Sequence, residues 1–207
     1  MKKLFCLFLL SGFLSSFSTD APRVLIYLQD NSAELQYMFI HEVGQMREIL
    51  ENSGFQVSIA TLNGEIMKTD SVTVKPDLKL SDVNIKEYAG FMMPCMATND
   101  TIVTAEEKNF VKTVSEQGKP LAAQLGAVWI LAKAGVLDGK KYAIFEDPGN
   151  ETVFKNATYS GNGVVKDGNI ITSGICPWMA KMSGQKDGTA ELANTIVSVI
   201  KEKNKNP

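Results

Sequence analysis

Gly118-Lys119-Pro120-Leu121-Ala122-Ala123-Gln124-Leu125-Gly126-Ala127-Val128-Trp129-Ile130-Leu131-Ala132 is the stretch whose reading decides the fold. Residues 119–124 read as a short strand. Residues 127–134 are apolar almost throughout and helical, and Gly135 ends that helix as a left-handed C-terminal glycine does. Only the loop Gln124-Leu125-Gly126 separates the two. Upstream, residues 23–28 form a continuous apolar run, the mark of a strand covered on both faces. Ile40, Val43, Met46, Ile49 and Leu50 then recur at helical spacing, so residues 40–52 should form a helix with one buried stripe, stopped at Gly54. Residues 55–60 read as the next strand. Strand, helix and strand within about 38 residues make a right-handed crossover unit of a parallel sheet.

The same alternation continues along the chain. Residues 64–81 suggest a hairpin or an edge excursion, and residues 89–93 a buried strand closed by Pro94. Residues 105–117 are amphipathic, with Phe110, Val111 and Val114 inward. Further strands are expected at 142–145, 163–165 and 169–172, the last two joined by a turn at 166–168. A closing helix over 189–201 should pack Leu192, Ile196, Val199 and Ile200. This is one α/β domain over residues 19–207, with a mostly parallel sheet and helices on both faces.

Composition excludes more than it indicates. Over 207 residues, 44% are hydrophobic and 21% charged, which excludes a disordered, collagen-like or coiled-coil chain. Lys and Arg total 21 against 23 Asp and Glu, so no basic surface suggests nucleic acid. Three cysteines and one histidine are too few for a disulfide scaffold or a Cys/His zinc module. Residues 1–18 read as a signal peptide: Lys2 and Lys3, an apolar run from Leu4 to Leu14, then small residues at Ser16 and Ser18. The run falls short of the ~20 residues a spanning helix needs. Cleavage after Ser18 removes Cys6 and two lysines and takes the net charge from −2 to −4. The expected product is periplasmic or secreted, free of the membrane, in a compartment where disulfides persist.

Sites in such sheets gather beyond the carboxyl ends of the strands, here the loops 29–39, 94–100, 124–126 and 173–182. Those loops also carry a resemblance. Tyr88-Ala89-Gly90-Phe91-Met92-Met93-Pro94, the Gly118–Ala132 stretch, and Val165-Lys166-Asp167-Gly168-Asn169-Ile170-Ile171-Thr172-Ser173 are similar, in that order, to three motifs of the DJ-1/PfpI family of class I glutamine amidotransferase-like proteins. The resemblance spans nearly all of residues 23–201. It implies a flavodoxin-like three-layer sandwich, often a homodimer. It also implies a cysteine nucleophile on a sharp strand-to-helix elbow, often followed by histidine, with a carboxylate from the first helix beside it.

This sequence departs from that pattern at the elbow. The nucleophile position is Leu125, and leucine has neither a lone pair nor an ionisable proton. The next position is Gly126, and the Gly-Gly expected after the third strand is Cys95-Met96. If the elbow has no reaction to serve, Gly126 is expected to take up any positive φ and let Leu125 relax. Glu42 matches the family carboxylate, across an insertion between Gln29 and Phe39. It is either a proton holder or a first-turn acid favoured by the helix dipole. His41 reads as a helix-start residue.

Cys95 and Cys176 admit three readings: a disulfide, a relocated nucleophile partnered by Glu42, or two separate thiols. Pro94, Met96, Gln124 and Trp178 are candidates to line a pocket, with Trp178 equally suited to a subunit interface. Trp129 is read as helix packing, and Glu146, Asp147 and Glu151 as a solvated turn. No cofactor or metal is indicated. Two functions follow: a catalytically degenerate exported protein that binds a small molecule or a protein, or a thiol-dependent enzyme of glyoxalase, deglycase or peptidase type using Cys95 or Cys176 with Glu42.

Overall fold

The apolar runs read as covered strands pair side by side. In the computed structural model, which describes residues 21–29, 34–95 and 102–205, β1 (Arg23–Leu28) lies in parallel between β2 (Gln56–Thr61) and β6 (Tyr88–Met93). Beyond β6 come β7 (Leu121–Gln124) and β11 (Ile170–Ser173), also parallel, and then β10 (Val164–Asp167), antiparallel at one edge. The short β5 (Leu78–Lys79) closes the other edge against β2. The order is therefore β10-β11-β7-β6-β1-β2-β5. The signal peptide expected over 1–18, and Met96, lie outside the described residues.

β1 shows why both faces are covered. Val24, Ile26 and Leu28 turn to one side, where helices α2 (Gly44–Asn52) and α6 (Thr189–Lys205) bring Met46, Leu50, Leu192 and Ile196. Leu25 and Tyr27 turn to the other, onto Phe110 and Val114 of α3 (Ala105–Glu116) and Val128 and Leu131 of α4 (Gly126–Lys133). Burying each such aliphatic side chain contributes roughly 1.5–3 kcal/mol. α3 starts at a capping box in which Thr104 and Glu107 satisfy each other's backbone amides. Glu107 also accepts the Tyr27 hydroxyl at 2.8 Å, which accounts for a buried carboxylate in this layer.

Several boundaries differ from expectation. The first helix begins at Leu35, as α1 (Leu35–Met38), and passes through a π-helical turn, Phe39–Val43, into α2. A π turn inserts an extra residue and shifts the phase of the stripe. Ile40, expected inward, is therefore 52% exposed, while Glu42 is fully buried. The strand expected at 142–145 is only β8 (Lys141–Tyr142), paired with β9 (Thr158–Tyr159) in a separate two-stranded sheet. Ala143 donates its N–H to the Thr172 hydroxyl at 2.8 Å instead of to a ladder partner, so the strand stops there.

The turn expected at 166–168 falls at Gly168-Asn169, because β10 continues through Asp167 and β11 starts at Ile170. Residues 64–81 contain both features expected of them: a hairpin of β3 (Met67–Lys68) with β4 (Thr73–Val74), and the edge strand β5. The loop 173–182 contains an unexpected helix, α5 (Pro177–Ser183), begun by a proline at its first position. The closing helix runs on to Lys205. Among the described residues no helix is long and apolar enough to cross a membrane.

Candidate functional site

Leu125, Cys95 and Cys176 follow the carboxyl ends of β7, β6 and β11, and Glu42 meets them there through the Cys95 amide. At the end of β7, Leu125 has φ 45° and ψ −101°. Its N–H donates to the Ser173 carbonyl at 2.7 Å and its own carbonyl accepts from Val128 at 3.1 Å. With both backbone groups committed and α4 starting at Gly126, the reversal has to fall on Leu125. The expected relaxation through Gly126 does not occur; Gly126 is not among the positive-φ glycines. Such a conformation in a residue with a Cβ costs ~1–3 kcal/mol. The sharp elbow is present, and what it presents is a leucine.

Beside it, Gln124 is fully buried. Its amide donates to the Ile175 carbonyl at 2.6 Å and its oxygen accepts from the Thr189 hydroxyl at 3.1 Å. It ties the Cys176 loop to the start of α6 rather than lining an opening. Pro94 is likewise buried. Gly174 is needed for the same loop to pass: a Cβ there would lie 2.5 Å from the Ile144 carbonyl carbon.

Glu42 is not a first-turn residue, because the helix begins upstream at Leu35, and the helix-dipole reading falls with it. The π turn directs its carboxylate inward, where Oε1 accepts the Cys95 N–H at 2.7 Å. His41 does not start the helix either. It is exposed, with its ring 4.4 Å from that of Tyr37.

Cys95 and Cys176 are free thiols that meet in one buried cluster, Cys176 within it and Cys95 packed on its edge. Their hydrogen bond acts oppositely on the two. The Cys95 thiol is pushed well up, first by that bond to Cys176, then by burial and by the Glu42 carboxylate; the Gly126 amide facing its sulfur opposes this. The Cys176 thiol is pulled down, first by the Cys95 S–H and then by the Met179 and Trp178 amides, against burial and the Asp187 carboxylate. The two shifts run in opposite directions, so of the pair Cys176 is the thiol that gives up its proton more readily.

Tyr37 and Trp178, which the sequence offers together as rim candidates, both pack against the cluster that holds the two cysteines, and Lys181 joins them only in the fold. Trp178 stands edge-on to Tyr37 at 5.6 Å, and the Lys181 ammonium sits 4.9 Å above Tyr37 and 5.2 Å from Trp178. The Pro177 helix start and the four-residue spacing of Tyr37 and His41 were the available signals. Trp129 is elsewhere, edge-on to Phe154 at 4.8 Å, as packing. Glu146, Asp147 and Glu151 are exposed, and Asp147 caps the Gly149 amide at 3.0 Å.

The family model described as DJ-1/PfpI matches residues 22–182. The chain belongs to the DJ-1/PfpI family. Among curated relatives, the protein dj-1beta of Drosophila melanogaster is 27% identical over 157 residues, 74% of this chain and 81% of its own. A deglycase of Pyrococcus abyssi is 24% identical over 155 residues, 74% of this chain and 90% of its own. Among solved structures, a ThiJ/PfpI domain protein from Brachyspira murdochii superposes with a TM-score of 0.68 at 18% identity, covering 87% of this chain and 96% of that one. The elbow between β7 and α4 and the first-helix carboxylate are thus built on a DJ-1/PfpI scaffold. At this elbow the side chain is leucine, and the two sulfurs come from the loops on either side.

Proposed function

We propose that this chain is an exported DJ-1/PfpI protein whose elbow no longer reacts and whose thiol chemistry has moved to Cys95 and Cys176, backed by Glu42. The observation that carries this reading is the meeting of two free thiols, Cys176 within one buried cluster and Cys95 packed against it. Cys176 is the sulfur that ionises, and a thiolate is the form that attacks. Cys95 holds the proton beside it. Glu42 fixes the Cys95 backbone through Oε1 and, by its charge, discourages a second thiolate. The deglycase names of relatives from Pyrococcus and Thermococcus support a thiol-dependent reading over an inert one. The substrate is then a small electrophile.

A binding protein without turnover is the competing reading, favoured by Leu125 at the elbow and by the 1% exposure of Cys176. Ultraviolet thiolate absorbance of the mature chain, followed across pH, separates the two. One thiolate is expected to form below the ordinary cysteine range of about 8.5 and to vanish in Cys176→Ser. Two thiols ionising together at or above that range sink the proposal. Consumption of methylglyoxal that survives both Cys95→Ser and Cys176→Ser sinks it too.

A further inference from the structure

Resting on that relocated thiol pair, we infer that Cys95 and Cys176 are a dithiol which small hydroperoxides close to a disulfide. Addition to a carbonyl needs one sulfur. This site has a second, protonated and in hydrogen-bonding contact with the first, within one buried cluster. A sulfenic acid formed on either is therefore born next to a thiol, the partner with which it condenses.

Access selects the oxidant. Cys176 is 1% exposed, within a cluster against which Trp178 and Tyr37 pack. Thiol–disulfide exchange proceeds through a mixed disulfide, so a glutathionyl or protein chain would have to be seated at a residue only 1% exposed. Hydrogen peroxide, with two oxygen atoms, asks for far less space. Cys95 is half-buried and packs against the edge of the cluster.

The electron count closes. The Cys176 thiolate attacks one oxygen of hydrogen peroxide; an S–O bond forms and the O–O bond breaks. Its electron pair goes to the departing oxygen, which takes the Cys95 S–H proton and leaves as water. Cys95, now a thiolate facing the Gly126 amide, attacks the Cys176 sulfenic sulfur. The S–S bond forms, the S–O bond breaks, and hydroxide leaves with a proton from solvent as the second water. The two sulfurs supply two electrons, the peroxide accepts them, and the one solvent proton balances the initial thiolate charge.

The reduced mature chain, exposed to an equivalent of hydrogen peroxide or of oxidised glutathione, tests this by intact mass and non-reducing peptide mapping. Peroxide should remove about 2 Da from most chains and link the Cys95 and Cys176 peptides, with dithiothreitol restoring both thiols. Oxidised glutathione should leave the great majority unchanged. Cys95→Ser should instead add about 16 or 32 Da at Cys176. The inference is overturned if wild-type chains keep both thiols, or accumulate oxygen with no link, or are closed as readily by oxidised glutathione. A low-pH Cys176 thiolate without closure would overturn this step and leave the relocated thiol standing; no such thiolate would remove both.

Discussion

Leu125 and Cys176 follow neighbouring strands, β7 and β11, and depart from expectation in opposite ways. Leu125 keeps a strained backbone, φ 45°, and offers nothing reactive. Cys176 has ordinary extended backbone, φ −87° and ψ 169°, and carries the thiol that its surroundings pull toward easier ionisation. The strain at the elbow is imposed by scaffold hydrogen bonds, from Leu125 to Ser173 and from Val128 to Leu125. It persists whatever side chain stands there, so it reports the fold. The ionisation of the thiols is an electrostatic property of three segments: the π turn with Glu42, the β6 loop with Cys95 and the β11 loop with Cys176. In the proposed function these segments, and not the elbow, carry the chemistry.

The sharpest way to break this contrast is at Glu42. Glu42→Ala leaves the Cys95 N–H without its acceptor and should cost ~1–3 kcal/mol by urea denaturation. Glu42→Gln keeps an acceptor and should cost under about 1 kcal/mol. In both variants the Cys95 thiol should come down only in part, because the bond to Cys176 and burial, the larger causes, remain once the carboxylate charge is gone. An unchanged Cys95 titration would mean the pair is not organised by this acid.

Smaller effects should follow at the elbow. Leu125→Gly relieves backbone strain but removes a side chain that packs against both core clusters. The two effects are of similar size, so stability should change by no more than about 1 kcal/mol. The thiolate titration should not move. If it does, elbow and thiol pair are one unit and the comparison fails.

The smallest expected effect lies on the far side of the sheet. Burial, then the Asp147 carboxylate and Tyr159, push the Tyr142 phenol up to about 12. Folding thus favours the protonated phenol. That stability is fully present below the unfolded value of about 10 and is lost as pH rises through about 12. An alkaline tyrosinate titration should show Tyr142 ionising above that unfolded value. Asp147→Asn should bring it down, and neither thiol substitution should affect it.

What could be read along the chain was whatever one segment decides. Residues 23–28, 55–60 and 89–93 are apolar runs bounded by stops, and they are strands because nothing else buries them. The helix over 40–52 was legible, but its start and phase were not. Periodicity assumes 3.6 residues per turn, and the Phe39–Val43 turn breaks that assumption at the residue that matters, Glu42. The seven-residue helix Pro177–Ser183 offered too little periodicity to count, although Pro177 marked its start. Tyr142 to Phe145 looked like a strand because it is buried, yet its amides find side-chain and loop partners instead of a ladder.

Sequence alone determined the strand and helix order, the kinship with the DJ-1/PfpI family, and the chemical identity of each residue at the rim: leucine at the turn, a carboxylate in the first helix, sulfur on two loops. These follow from local pattern and covalent composition. Only the tertiary structure decided that the leucine stays strained, that Glu42 is turned inward onto the Cys95 amide, and that the surroundings push the Cys95 thiol up and pull the Cys176 thiol down. Ionisation depends on which dipoles, charges and solvent lie within a few ångströms, and those neighbours come from segments far apart in the chain that meet only once the sheet has closed.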